Sequence, residues 1–169
     1  VAQILCARGH DDPERARRFL DVDLKGLRGP EGLPDVDVAV ERVLLAVAKG
    51  ERITVYGDYD VDGTTSAAIL CDFVRAIGGT IDYYLPDRFL EGYGLSVGGV
   101  NRIAERGTKL VITADCGTSS FVEIERAVEL GMDVIVLDHH QTPKTRPAAI
   151  ALINPHHPDS VFPLSLIHI

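Results

Sequence analysis

The sequence predicts an α/β fold, a parallel β-sheet with helices on both faces, preceded by a short helical lead-in. Three observations predict it. Short β-branched apolar runs alternate with amphipathic segments from Arg52 onward, the amphipathic segments stop at glycines, and acidic or imidazole residues follow directly after the apolar runs. An open parallel sheet gathers its ligand site there, beyond the carboxyl ends of its strands.

The elements follow in order. Asp12 and Pro13 form an N-cap and first-turn pair, so residues 14–20 read as a helix with Ala16, Phe19 and Leu20 on one side. Residues 21–34, rich in Gly and Pro, read as a loop. A second helix over about 35–49 has Val36, Val40, Val43, Leu44 and Val47 at helical spacing and stops at Gly50. These two helices make a lead-in over residues 1–50, and an α/β domain follows over 51–163. Within it strands are expected at 53–56, 80–85, 110–113, 134–137 and 149–153, and helices at 64–77, 97–106 and 120–130. Right-handed crossovers between such strands give the parallel sheet.

Composition narrows the function. The 169 residues, 46% of them apolar, suffice for one sizeable core. Asp, Arg or Glu interrupts every apolar run, and the start lacks the regions of a signal peptide, so no membrane association and a cytoplasmic location are expected. Cys6, Cys71 and Cys116 are odd in number, far apart and without a CxxC, which indicates neither a disulfide framework nor a zinc knuckle. A net charge of −8 argues against holding nucleic acid through a basic surface. For the charge alone, an acidic solvated surface is the simpler explanation; alternatively, bound divalent cations reverse the sign locally. The chain opens on Val1 and closes in an apolar stretch, so it reads as a fragment at both ends.

Four segments carry the chemistry. Asp58-Tyr59-Asp60-Val61-Asp62-Gly63 follows the first strand, Asp115 the third, Asp138-His139-His140 the fourth and Asn154 the last. Two unit charges about 4 Å apart repel by about 4 kcal/mol at an effective dielectric near 20, so the alternating aspartates need exposure, protonation or a metal. The spacing resembles an EF-hand start, but Ile69 stands where a bidentate Glu is required and a strand precedes the loop. Gly63-Thr64-Thr65 lacks the glycine and lysine of a phosphate loop, and no dinucleotide fingerprint is present. A solvated Asx turn capping the helix at Thr64 stays open as the alternative. Carboxylates from two strand ends with an imidazole from a third make an O/N ligand set suited to Mn²⁺ or Mg²⁺, with the histidine favouring manganese. Two such ions suit in-line displacement at phosphorus.

VYGDYDVDGTTSAAIL, VITADCGTSS, VIVLDHH and ALINPHH, in this order, resemble the DHH phosphoesterase superfamily. PDRFLEGYGLS and the N-terminal ARG with its Asp12-Pro13 helix are similar to the RecJ branch, single-strand-specific 5′→3′ DNA exonucleases. The resemblance runs from about Leu5 to Pro163. It implies that Asp58, Asp60 and Asp62 hold the metals, Asp115 bridges them and His139 completes one coordination sphere. Asp138 is implied as a carboxylate that orients a ring, His140 as a contact to the scissile phosphate or a proton donor to the leaving oxygen, and Arg88 as a phosphate partner. Alternatives stay open: Asp138 as a direct ligand, His140 as a packed ring, Arg88 as a bridge to Asp87 or Glu91. Cys116 is expected to fill buried space rather than bind metal. Asn154 is expected in a polar turn near the substrate, with His156 and His157 on the surface. The implied substrate is single-stranded DNA, degraded to mononucleotides in repair and recombination, by a monomer working with a helicase or single-strand-binding protein. A relative of this branch continues into a further metal-binding aspartate, a second domain and an oligonucleotide-binding barrel. The chain alone is thus expected to keep weak Mn²⁺ affinity with little processive digestion, and residues 164–169 to be a non-native or disordered tail. The competing functions are a phosphodiesterase for short oligonucleotides or cyclic dinucleotides and a non-catalytic binding scaffold.

Overall fold

The computed structural model of the chain describes residues 1–21 and 29–162. The expected tail at 164–169 lies outside the described residues. The first compact unit, Val1–Glu31, holds α1 (Ala2–Ala7) and α2 (Pro13–Leu20). Helix α2 starts where the sequence places it, because the Asp12 carboxylate accepts the Arg15 amide at 3.0 Å and Pro13 occupies the first turn. Helix α1 has no counterpart in the sequence reading. It has six residues, no side-chain cap and Leu5 as its buried residue, too little periodicity to announce itself.

The second unit, from Gly32 onward, contains α3 (Val36–Lys49), β1 (Arg52–Gly57), α4 (Val61–Ala76), β2 (Thr80–Tyr84), α5 (Val97–Glu105), β3 (Thr108–Ala114), α6 (Phe121–Glu129), β4 (Asp133–Leu137) and β5 (Ala151–Ile153). The five strands are all parallel, in the order β2-β1-β3-β4-β5. Because both faces are covered, the strands read as continuous apolar runs rather than as an alternation.

Side chains nevertheless divide by the two-residue pleat. Ile53, Val55, Leu110, Ile112, Ile135 and Ala151 face Ala39 and Ala46 of α3 and Ala67, Cys71 and Val74 of α4. Tyr56, Val111, Val134, Val136 and Leu152 face Val100 and Ile103 of α5 and Ile124 and Ala127 of α6. Full burial of each large aliphatic side chain contributes about 1.5–3 kcal/mol, so the two layers hold the strand ends firmly. Helix α3, grouped with the lead-in by sequence, thus lies on the sheet. Its start is held by Asp35, in a left-handed backbone conformation (φ 60°), whose carboxylate accepts the Leu152 amide at 2.9 Å and pairs with Arg146.

The difference that matters for the site is at α4. It begins at Val61 rather than at 64, because Asp60 accepts the amides of Asp62 and Gly63 at 2.9 and 3.0 Å and so acts as the N-cap. Among the described residues, no helix is long and apolar enough to cross a membrane.

Candidate metal centre

Register builds the site. Gly57 pairs with Ala114, Ala114 with Leu137, and Leu137 with Ile153, so the next residue on each strand falls in one row. That row is Asp58, Asp115, Asp138 and Asn154, and the backbone ladder continues into it: the amides of Asp58, Asp115 and Asp138 donate to Ala114, Leu137 and Ile153 at 3.2, 3.0 and 3.1 Å. All four side chains are buried.

Two triads of candidate ligands meet at Asp115. Asp58, Asp60 and Asp115 each offer an oxygen, and Asp115, His139 and His140 each offer a ligand atom, with the atoms of each set within 4.8 Å of one another. Asp115 has a left-handed backbone (φ 62°), an unusual conformation for a residue with a side chain that Asp tolerates better than most, costing about 1–3 kcal/mol. Its Oδ1 lies 2.7 Å from His139 Nε2.

The electrostatics of this half fit a cation. Asp58 is 1% exposed, its Oδ2 has no hydrogen-bond partner, and its Oδ1 receives the Gly94 amide at 3.4 Å. A buried carboxylate so poorly solvated by the protein calls for a positive partner. A side chain at Gly63 would collide with the Asp58 backbone, so α4 can bring its positive end this close only because that residue is glycine. Burial, and then the charge of Asp60, push the Asp115 carboxyl up to about 6, against the pull of His139. The Gly63 amide foremost holds Asp60 below the usual carboxylate range.

The other half is saturated. Asp138 Oδ1 accepts the His139 amide at 2.7 Å, the His140 amide at 3.1 Å and His140 Nδ1 at 2.7 Å, while Oδ2 accepts the Thr118 amide at 3.0 Å. Burial raises the Asp138 carboxyl, but the Thr118 and His140 bonds outweigh it and hold it below its ordinary value. Burial likewise lowers the His140 imidazole, and Asp138 more than reverses that. Asn154, expected at the substrate, lies behind the site instead: it is 0% exposed, donates to Thr118 Oγ1 and the His140 carbonyl at 3.0 and 2.9 Å, and accepts the His156 amide at 2.8 Å. Both amide hydrogens of its side chain are used and its oxygen already has a donor.

Asp62 stands exposed on the first turn of α4 and joins neither triad. Arg88 is exposed, and its guanidinium lies 5.4 Å from the centre of the Tyr59 ring. It bridges to neither neighbour: Asp87 Oδ1 accepts the amides of Phe89 and Leu90, and Glu91 is engaged by Tyr84, Ser96 and Arg102. Cys116 is buried and its thiol is pushed well up, chiefly by burial, which keeps it protonated. His156 is exposed and His157 half-buried.

Residues the sequence reading passed over complete the site. Tyr93 Oη donates to the Asp115 carbonyl at 3.1 Å and lies 3.2 Å from His140 Nε2. Its signal was the flanking pair Gly92 and Gly94, both at positive φ (81° and 70°), which turn the backbone so that the ring reaches inward. Thr118 left no comparable trace, because its role is set by a loop touching another strand's end.

The profile of the DHH family, N-terminal domain, matches residues 52–165. The chain is 43% identical over 150 residues to the single-stranded-DNA-specific exonuclease RecJ of Escherichia coli, covering 88% of this chain and 26% of that protein. It is 37% identical over 163 residues to the RecJ of Bacillus subtilis, covering 96% of this chain and 21% of the relative. The chain thus spans about a fifth to a quarter of the length of these relatives. A crystal structure of RecJ from Thermus thermophilus in complex with Mn²⁺ superposes with a TM-score of 0.72 at 30% identity, covering 94% of this chain and 22% of that one. The row of carboxylates, the histidine pair and the profile match agree: the chain belongs to the DHH family.

Proposed function

We propose that this chain supplies the metal-holding half of a metal-dependent exonuclease that hydrolyses phosphodiester bonds of single-stranded DNA from the 5′ end. The observation that carries this is the unpartnered Asp58 oxygen beside two ligand triads sharing Asp115. In this reading Asp58, Asp60, Asp115 and His139 hold a pair of Mn²⁺ or Mg²⁺ ions, and Asp62 serves from the exposed rim of α4. Bound divalent cations lower the pKa of water and offset charge on the oxygens around phosphorus.

The chain's own residues do the rest. Asp115, placed between the triads, is the shared ligand. Asp138 holds the His140 ring through Nδ1, leaving Nε2 directed toward Tyr93 Oη, where a phosphate oxygen or leaving group could take that bond instead. Arg88 is free to pair with a phosphate. The RecJ relatives support single-stranded DNA as substrate, and stepwise hydrolysis from one end yields mononucleotides. Processive digestion then needs the additional length those relatives have.

Manganese anomalous scattering from crystals of this chain tests the metal site directly. Peaks between Asp58, Asp60, Asp115 and His139 are expected; their absence at saturating Mn²⁺ would refute the proposal. In a longer protein carrying this chain, a 5′-labelled single strand should shorten in a Mn²⁺-dependent manner. Hydrolysis confined to very short oligonucleotides would instead favour a small-substrate phosphodiesterase.

A further inference from the structure

The turn after β2 presents apolar side chains to solvent on a braced backbone. Asp87 Oδ1 accepts the amides of Phe89 and Leu90 at 2.8 and 3.1 Å, and its carbonyl accepts those of Leu90 and Glu91 at 3.2 and 2.8 Å. The far side is anchored by Glu91, which accepts from Tyr84 Oη at 2.6 Å and Ser96 Oγ at 3.3 Å and pairs with Arg102. Between these anchors Phe89 is 93% and Leu90 85% exposed. Single exposed apolar residues need no explanation, whereas this adjacent pair is more exposed than Leu44 and Leu45 of α3 and sits on a turn tied down at both ends.

The position of this pair relative to the metal centre limits what it contacts. Arg88, the preceding residue, lies over the Tyr59 ring between Asp58 and Asp60. Tyr59 meets Tyr93 edge-on at 6.3 Å, and Tyr93 meets His140 edge-on at 6.0 Å. Edge-to-face ring contacts therefore run from His140 through Tyr93 to Tyr59, and the Arg88 guanidinium over Tyr59 joins them to the turn. The chain carries a net charge of −8, so a bound strand cannot be held mainly by phosphate contacts to a basic surface. Beside cations at the metal centre and Arg88, base faces are a further source of affinity, and stacking on aromatic rings is tolerant of sequence because every base has such a face.

The geometry points to Phe89, with Leu90 beside it, as a stacking platform for an unpaired nucleobase of the strand whose phosphate lies at the metal centre. This rests on the nuclease reading above and adds a reason for strand selectivity: a paired base within a duplex has both faces occupied by its neighbours, and only an unpaired one can be laid on the platform.

The chain has no tryptophan, so Phe89→Trp installs a single reporter at this position. The probe is a short phosphorothioate oligo(dT) with Mn²⁺, its binding followed by the anisotropy of a 3′ label, beside an abasic strand of equal length. The expected result is that oligo(dT), but not the abasic strand, quenches the introduced indole. Phe89→Ala should weaken oligo(dT) binding roughly tenfold without changing binding of the abasic strand, and Phe89→Tyr should restore it. Binding of oligo(dT) with unchanged indole emission and unchanged affinity of Phe89→Ala would overturn the platform while leaving the nuclease reading intact. Failure of oligo(dT) to bind at all would remove both. In a longer protein carrying this chain, blue-shifted emission indifferent to oligo(dT) would show the ring covered by the protein itself, which also overturns the proposal.

Discussion

The two halves of the candidate centre are each built around buried aspartates with a histidine beside them and differ in how well the carboxylates are hydrogen-bonded. Around Asp138 each carboxylate oxygen has a donor from the chain, and each polar side-chain atom of Asn154 behind it has a partner. Around Asp58 and Asp115 an oxygen is unpartnered and a carboxyl is pushed up to about 6 by burial and a neighbouring charge. A saturated carboxylate fixes geometry; an unsaturated buried one awaits a cation. Burial alone does not tell the halves apart, since Asp58, Asp115, Asp138 and Asn154 are all buried.

The largest test of that contrast is removal of a ligand. Asp115→Ala or Asp60→Ala, in a longer protein carrying this chain, should lower Mn²⁺-dependent cleavage of single-stranded DNA by more than two orders of magnitude, exceeding the loss of about 10–100-fold expected for Asp138→Asn as an orienting residue. Equal losses for Asp115 and Asp138 would erase the distinction between the halves. Next is metal-linked stability. Thermal unfolding of this chain should shift upward with Mn²⁺, by an amount equivalent to about 2.7 kcal/mol at a hundredfold excess over Kd. Asp58→Asn should raise stability in EDTA, by removing an uncompensated buried charge, and largely abolish the Mn²⁺ increment.

Asn154→Ala should behave oppositely. It strands the Thr118, His140 and His156 partners, so a loss of about 1–3 kcal/mol is expected in urea unfolding, the same with and without Mn²⁺. The smallest effect is on pH dependence. The folded-state pKa of Asp115, about 6, lies above its ordinary 3.8, so the folded chain binds the extra proton and this group's contribution to metal-free stability falls as pH rises from about 4 through 6. Asp138 is shifted down, so its contribution is present above its ordinary pKa and is lost as pH falls below it. Urea unfolding in EDTA across this range should therefore show Asp115→Asn gaining most over the parent chain near neutrality. A constant difference across pH would contradict the assignment.

The α/β class, the parallel sheet and the identities of the row residues were legible in the sequence, because apolar runs ending in acidic segments are a local pattern. α4 shows the limit of that legibility. Its start was misplaced since a run of aspartates reads as a loop until Asp60 is seen to take the Asp62 and Gly63 amides. Asp62 looked equivalent to Asp58 by spacing, yet the helical turn carries it away from both triads. Asn154, placed by the sequence in a polar turn near the substrate, is enclosed.

The order and type of residues along this chain were enough to determine which layers form and which strand ends carry charge, since period and capping act over a few neighbours. Only the tertiary structure decided which of those charges are left without partners. That depends on the register Gly57–Ala114–Leu137–Ile153 and on loops arriving from distant strands, as when Thr118 reaches Asp138 and Gly94 reaches Asp58. Hydrogen-bond saturation is a property of assembled neighbours, and no stretch of sequence contains them all.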